Sequence, residues 1–424
     1  MTDTTTLREL LGEKPSSGDD SHQLEMHVVH SPDASALGRR FSLVPGESAL
    51  VGRRQGLELS LEDERTSRSH VRIVWDQRTR GYRFADLGSA NGTFLNGQRL
   101  ETGVLSSNDV LRVGDTLLVC SLPLALTRFD EEVRRAAASC LPVLLLGETG
   151  TGKEVLAKRL HEQSGRSGAF IAVNCAALPR ELATAELFGH TRGAFSGAGN
   201  ARDGLIRAAA GGTLFLDEIA ELPIDVQPTL LRCLQERKIR TIGADREVDV
   251  DLRLVAATNA DLESLVGQGK FREDLLARLA HILLKLAPLR TRRWEILPLA
   301  RQFAPELAFT ANAIESLLLF DWPRNIRQLR SLIESLAVLK PSGARIHDAD
   351  LAERIPGFAN RDQARQAVSI TSDNSTGERR TQLTALLQKH SGNIASVARE
   401  LGKPRSHVYR WMRTFRLSRR QFDR

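Results

Sequence analysis

The stretch Leu141 to Glu154, LPVLLLGETGTGKE, constrains this chain more than any other. An apolar run, Val143 to Leu146, reaches Gly147 and gives way to a loop ending Gly150-Thr151-Gly152-Lys153. A helical pattern follows, with Val155, Leu156 and Leu160 placed on one face. Strand, glycine-rich loop and helix form a phosphate cradle, because glycines let backbone N–H groups close on the oxygens at a positive helix N-terminus. The candidate nucleotide-binding residues are therefore Gly147, Glu148, Thr149, Gly150, Thr151, Gly152, Lys153 and Glu154, with the Lys153 charge directed at the β- and γ-phosphates. Glu154 stands where such loops usually carry a magnesium-binding hydroxyl.

At 424 residues and 41% hydrophobic content the chain can bury two or three cores. A net charge of +7 and a pI near 9.5 are compatible with nucleic acid. Whole-chain charge does not identify a partner, but the basic residues crowd toward the C-terminus. Cys120, Cys140, Cys175 and Cys233 are scattered without metal-ligand spacing and read as buried thiols in a reducing compartment. No charged-then-apolar leader opens the chain, and no apolar run is long enough to cross a bilayer. The expectation is a cytoplasmic protein without membrane contact.

Residues 1–23 are polar and read as disordered. From 24 to 122, short alternating runs (EMHVV, RFSLV, HVRIVW, YRFADL, DVLRVGD, TLLVCSL) separated by turn residues predict an all-β sandwich. Three groups stand out: Gly52-Arg53, Ser67-Arg68-Ser69-His70, and Ser89-Ala90-Asn91-Gly92-Thr93 followed by Asn96-Gly97. In this order they resemble the forkhead-associated (FHA) domain, whose loops bind phosphothreonine peptides. The resemblance implies that Arg53 and Ser67 hold the phosphate with Arg68 nearby, that Asn91 holds the peptide backbone, and that His70 ties loops together. A guanidinium and a hydroxyl suit the charge and oxygens of a phosphate.

Pro123 to Cys140 contains a helical pattern, FDEEVRRAAAS, and leads into the glycine-rich loop. From there to 356, strands VLLLG, AFIAVNC, GTLFLDE and LRLVAATN alternate with helices, predicting an α/β domain with a mostly parallel sheet. The strand Thr213 to Leu216 ends in Asp217-Glu218, the place where P-loop ATPases organise magnesium and polarise the attacking water. Downstream of the glycine-rich loop, this acid pair points to ATP hydrolysis.

Glu186-Leu187-Phe188-Gly189-His190 leads into Gly193-Ala194-Phe195-Ser196-Gly197-Ala198. That segment resembles the signature loop, usually spelled GAFTGA, of bacterial enhancer-binding proteins, the AAA+ activators of sigma-54 RNA polymerase. Ser196 keeps the hydroxyl of the usual Thr, and Glu154 is typical of the family. The resemblance spans 124–356 and implies that this loop contacts sigma-54. It further implies that Asn174 restrains the catalytic glutamate and that Thr258-Asn259 is sensor I. Arg272 and Arg278 would be fingers reaching a neighbouring subunit, and Arg327, in Trp322-Pro323-Arg324-Asn325-Ile326-Arg327, would be sensor II of a helical lid.

A polar linker, 357–377, precedes three helical patterns at Thr381 to Lys389, Ile394 to Leu401 and Arg405 to Phe415. The tight turn Gly402-Lys403-Pro404 predicts a helix-turn-helix over 378–424, similar to the Fis-type end of the same activators. Arg405, Ser406, His407, Arg410 and Arg413 would face DNA, while Val408, Met412 and Phe415 face the core.

The combined expectation is a multidomain chain: an all-β FHA sandwich, an α/β AAA+ ATPase with a helical lid, and an all-α helix-turn-helix. Its implied cofactors are ATP and Mg2+. Its implied partners are sigma-54 RNA polymerase, enhancer DNA, further copies in a hexamer, and a phosphothreonine protein, either a Ser/Thr kinase or its substrate. Two rival classes use the same parts: a AAA+ remodeller of some other protein, and a phosphopeptide adaptor with a silent ATPase.

Overall fold

The computed structural model describes residues 23–121, 123–194, 199–341, 343–355, 383–390 and 394–400, with Met412 and Leu417. The segment expected to be linker (357–377), and all but Gln23 of the segment expected to be disordered (1–23), lie outside these residues. Two compact units divide the chain, Met1–Asp348 and Ala349–Arg424.

In the first unit, residues 24–121 form two packed sheets; Val71–Asp76 and Gly81–Asp86 alternate in burial, whereas Leu24–His30 and Thr116–Ser121 are buried almost throughout. One runs Arg40–Leu43, Leu24–His30, Thr116–Ser121, Val110–Val113, Thr93–Leu95, Gln98–Leu100 in spatial order. The other runs Leu59–Ser60, Ser48–Gly52, Val71–Asp76, Gly81–Asp86, Thr102–Leu105. Met26, Leu43, Val51, Ile73, Phe84, Leu111 and Leu118 fill the space between them. Five of these eleven strands, starting with Ser48–Gly52, Leu59–Ser60 and Thr93–Leu95, were not among the alternating runs. They are short, and Ser48–Gly52, Thr93–Leu95 and Gln98–Leu100 border the loop motifs.

The second half of the unit is a five-stranded sheet ordered Phe170–Asn174, Thr213–Asp217, Arg253–Thr258, Val143–Leu146, Ile282–Lys285. Every pairing in it is parallel. Helices cover both faces, so the strands read as continuous apolar runs and Arg253–Thr258 is buried throughout. The pleat splits them cleanly. Val143, Leu145, Phe215, Val255 and Ala257 pack with Val133, Leu156 and Leu160, whereas Leu144, Leu214, Leu216 and Ala256 pack with Leu187, Leu230 and Leu275. On the helix after the glycine-rich loop, Lys153–Glu162, the buried stripe is Lys153, Leu156, Ala157 and Leu160. Val155, expected on that face, is 74% exposed, because it is a 100° step away from Leu156. Cys120, Cys175 and Cys233 are buried as expected; Cys140, just past the end of the helix Pro123–Ala138, is exposed instead.

Three further helices follow, with Ile296–Phe303 in contact with both Ala311–Leu319 and Asn325–Leu339; Leu317, Leu329, Ile333 and Leu336 are buried among them. The second unit has a helix over 383–389 and another at Ile394–Glu400. Leu383, Leu387, Ile394, Val397 and Met412 form its core. Lys389 and His390 both bond the Glu400 carboxylate. Met412 is buried, as the pattern of the last helix demanded. Arg405, Ser406, His407, Arg410 and Arg413 lie outside the described residues.

Candidate functional sites

A parallel sheet delivers the carboxyl ends of its strands to one edge, and that edge is where such sheets bind ligands. Here Leu146, Asn174, Asp217 and Thr258 all end there, the first meeting the last and the second meeting the third in register. The glycine-rich loop, the acid pair and Thr258-Asn259 are thereby brought together.

Lys153 is 94% buried (6% exposed), and its ammonium donates to the carbonyl oxygens of Gly147 at 2.9 Å and Glu148 at 3.4 Å. The loop thus turns in front of a cation that its own backbone holds. Gly150 and Gly152 have φ of 79° and 100°, which only glycine adopts without strain. A Cβ on Gly150 would come 2.4 Å from the Arg324 carbonyl oxygen and 3.1 Å from Arg327 Cβ, so the stretch around Arg324 and Arg327 lies directly against the loop. Asn259 donates to the Thr149 hydroxyl at 2.9 Å, joining the end of the strand Arg253–Thr258 to the loop. Glu154, in the first turn of the helix, is exposed.

Asp217 is half-buried and accepts from the backbone N–H of Glu218 at 3.0 Å. Glu218 has φ 51° and ψ 49°, a left-handed conformation that costs a non-glycine residue about 1–2 kcal/mol. Strain of this kind gathers at functional positions. Asn174 uses its side-chain oxygen to cap Ala176 N at 2.9 Å. Arg272 makes a two-nitrogen bond to Asp274 (3.0 and 2.7 Å), and Arg278 donates to the Leu234 carbonyl at 3.1 Å. Of Gly193 to Ala198, Gly193 and Ala194 are described, Ala194 lying near Gly243; Phe195, Ser196, Gly197 and Ala198 lie outside the described residues.

Sequence reasoning missed a clamp on the loop. Arg290 donates to both oxygens of Glu148, at 2.8 and 2.6 Å. Asn325, fully buried and left-handed (φ 51°), donates to Glu148 and to the Thr149 carbonyl, each at 3.1 Å, and accepts from Leu289 N at 2.8 Å. Hydrogen bonding from Arg290 holds the Glu148 carboxyl down at about 2. Arg292 adds a 2.6 Å bond to the Thr151 carbonyl. Asn325 sits inside the sensor II stretch and could have been noticed; Arg290 and Arg292 belong to an arginine run with nothing to distinguish them.

On the sandwich, three loops are laced together. Arg53 N donates to the Ser67 carbonyl at 2.9 Å, Ala90 N to the Ser67 hydroxyl at 3.0 Å, and Asn91 Nδ2 to the Arg65 carbonyl at 2.6 Å. A Cβ on Gly52 would lie 2.4 Å from the Arg68 carbonyl oxygen, which explains the glycine before Arg53. Arg53, Arg68 and Asn91 are exposed, with Ser67 half-buried between them. His70 is fully buried; Nδ1 accepts from Ser67 N and Nε2 bonds the Gly92 carbonyl, both at 3.1 Å. A ring that accepts at Nδ1 and donates at Nε2 is neutral, and burial lowers its pKa accordingly. It ties the loops together, as the sequence implied.

Comparison with known families agrees with this geometry. Residues 123–285 match the sigma-54 interaction domain, 49–114 the FHA domain and 290–368 the AAA+ ATPase lid domain. The transcriptional regulatory protein GlrR of Escherichia coli is 39% identical over 316 residues, covering 72% of this chain and 68% of GlrR. The regulatory protein AtoC of the same organism is 46% identical over 235 residues, 53% of this chain and 51% of AtoC. Among solved structures, NtrX from Brucella abortus matches with TM-score 0.50 at 28% identity, covering 69% of this chain and 68% of that one. NtrX in complex with ADP matches equally, with TM-score 0.50.

Fold and site together define a nucleotide-binding AAA+ ATPase carrying an FHA domain. The chain belongs to the family of sigma-54-dependent transcriptional regulators.

Proposed function

We propose that the chain assembles into a hexameric ring in which ATP hydrolysis drives the Gly193–Ala198 loop against sigma-54 at promoters. The FHA loops would read a phosphothreonine protein, and the C-terminal helix-turn-helix would hold upstream DNA. The observation that carries this reading is the common sheet edge, where Lys153, Asn174, Asp217, Glu218 and Asn259 meet in a chain with a sigma-54 interaction domain.

In this mechanism Lys153 and the loop N–H groups bind the β- and γ-phosphates, and Glu218 polarises the attacking water. Asp217 would hold Mg2+ against the triphosphate. One carboxylate fits that task because the phosphates supply further oxygens. Among the described residues, no cluster of three or more His, Cys, Asp or Glu could hold an ion alone. When bound, the metal neutralises charge developing on the phosphoryl oxygens. Asn259 and Arg327 sense the γ-phosphate from sensors I and II, while Asn174 restrains Glu218. Arg272 and Arg278 act across the subunit boundary, and the exposure of Arg272 leaves it able to do so. On the sandwich, Arg53, Ser67 and Arg68 hold the phosphate and Asn91 the peptide backbone.

Purified protein with sigma-54 holoenzyme, promoter DNA and ATP tests the central claim. Wild type should open the promoter, whereas Glu218→Gln should bind ATP without opening it. Equal opening by that variant, or opening without sigma-54, would overturn the reading. Calorimetry with matched phosphothreonine and unmodified peptides tests the sensor, since Arg53→Ala should remove most of the phosphate-dependent affinity. Equal binding of both peptide forms would mean that the sandwich is not a phosphate reader.

A further inference from the structure

The lid begins with two short 3₁₀ turns, Leu289–Thr291 and Arg293–Glu295, whose side chains divide between two neighbours. Arg290 and Arg292 bond the P-loop at Glu148 and at the Thr151 carbonyl. The next two residues turn to the FHA sandwich. Arg293 donates to the Asn108 carbonyl at 2.8 Å, and Trp294 stacks on His27 with ring centroids 5.9 Å apart. A few residues thus touch the nucleotide loop on one side and the sandwich on the other.

The sandwich is anchored beside this segment by a second contact. Arg112 donates to Asn312 at 2.7 Å and to Glu315 at 3.0 Å on the lid helix Ala311–Leu319. Side-chain exposure is 13% for Arg112 and 3% for Glu315, so the pair is largely shielded from solvent and salt. Within the sandwich Arg112 also bonds Asp115 at 3.1 Å and the Gly114 carbonyl at 2.9 Å, which hold its guanidinium in place to meet the lid helix; undocking breaks only its bonds to Asn312 and Glu315.

We propose that Leu289–Glu295 is a connector through which the docked FHA sandwich sets the geometry of the P-loop, with Arg290 and Arg292 as positioning residues for nucleotide binding. Docking orders the connector through Arg293 and Trp294. The ordered connector presents Arg290 to Glu148 and Arg292 to Thr151, holding the loop in its phosphate-receiving form. Undocking releases the connector, and the loop must then be ordered by the nucleotide itself, which weakens binding. Linkage makes the effect reciprocal, so bound nucleotide also favours the docked sandwich. The inference does not depend on what the FHA loops bind.

The test uses the full chain and a fluorescent, slowly hydrolysed ATP analogue. On the sandwich side, His27→Ala combined with Arg112→Ala touches no nucleotide-loop residue, yet should weaken analogue binding about fivefold or more. Arg290→Ala should weaken it in the same direction, and adding it to the sandwich variant should cause little further loss, since both act through one connector. Asn312→Ala combined with Glu315→Gln, on the lid side of the same contact, should weaken binding in the same direction and guards against a sandwich damaged through Arg112, which also bonds Asp115 at 3.1 Å. Unchanged affinity in a folded, undocked variant, or losses that simply multiply, would overturn the proposal.

Discussion

The Arg253 guanidinium donates to the Leu160 carbonyl oxygen at 2.9 Å and to that of Ala136 at 2.6 Å, joining the last turns of two helices from a central strand. Arg253 is fully buried, so an isolated charge there would be prohibitive. The site works because helix C-termini carry partial negative charge and unpaired carbonyls, and the planar fork reaches both. Arg253→Met should lower stability by about 2–4 kcal/mol, because two carbonyls lose charged donors. Arg253→Lys should recover only part, since an ammonium cannot span both. Urea denaturation of the purified protein measures this, and a loss under about 0.5 kcal/mol for the Met variant, the size of an ordinary surface change, would contradict it.

The conformation of Glu218 predicts a trade-off between stability and activity. Its φ of 51° suits glycine, so Glu218→Gly should relieve strain and raise stability by about 1 kcal/mol. The same change removes the carboxylate and should cut ATP turnover by about 100-fold or more. Thermal melts and steady-state hydrolysis on one preparation separate the two effects. A glycine variant that melts lower than wild type would show that the backbone there is not strained.

His70 gives the FHA loops a pH dependence with a definite sign. Burial first, partly offset by the Gly92 carbonyl and Asp86, puts its folded pKa below the ordinary 6.5. A histidine kept neutral in the fold contributes its full stability above pH 6.5, and that contribution fades as pH falls through 6.5 toward the folded value. Protonation also ends the bond from Ser67 N, the backbone beside the proposed phosphate site. Wild-type melting temperature should therefore drop between pH 7 and pH 5.5, about where an unbound histidine titrates. In His70→Phe that limb should be flatter, with lower stability at neutral pH; a limb of equal slope would assign it to other groups.

The proposed finger role of Arg272 predicts complementation. In one chain Arg272 is occupied by Asp274, an exposed pair worth little, so a neighbour's phosphate can capture it. Mixing Arg272→Ala protein with Lys153→Ala protein should restore part of the ATPase, because one supplies the finger and the other an intact pocket. Mixed rings shown by mass spectrometry with no recovered activity would remove the trans assignment.

What the sequence determined by itself is local and periodic. Alternation over 24–121 dictated a sandwich, the continuous apolar runs before Gly147 and Asp217 dictated buried parallel strands, and glycine at 150 and 152 dictated where a loop could close on phosphate. Those signals depend on neighbours a few residues apart, which is why the P-loop, the acid pair and the FHA loop motifs are legible in the chain itself. Val155 shows the limit even of the local reading, since a step of one residue moved it from core to solvent. Only the tertiary structure decided which distant side chains meet. Arg290 reaches Glu148 across 142 positions, Asn325 reaches it across 177, and Arg112 reaches Glu315 across 203. Arginine has no periodicity that marks it as buried or exposed, and the cost of desolvating its charge is settled by whichever carboxylates and carbonyls the fold brings to it.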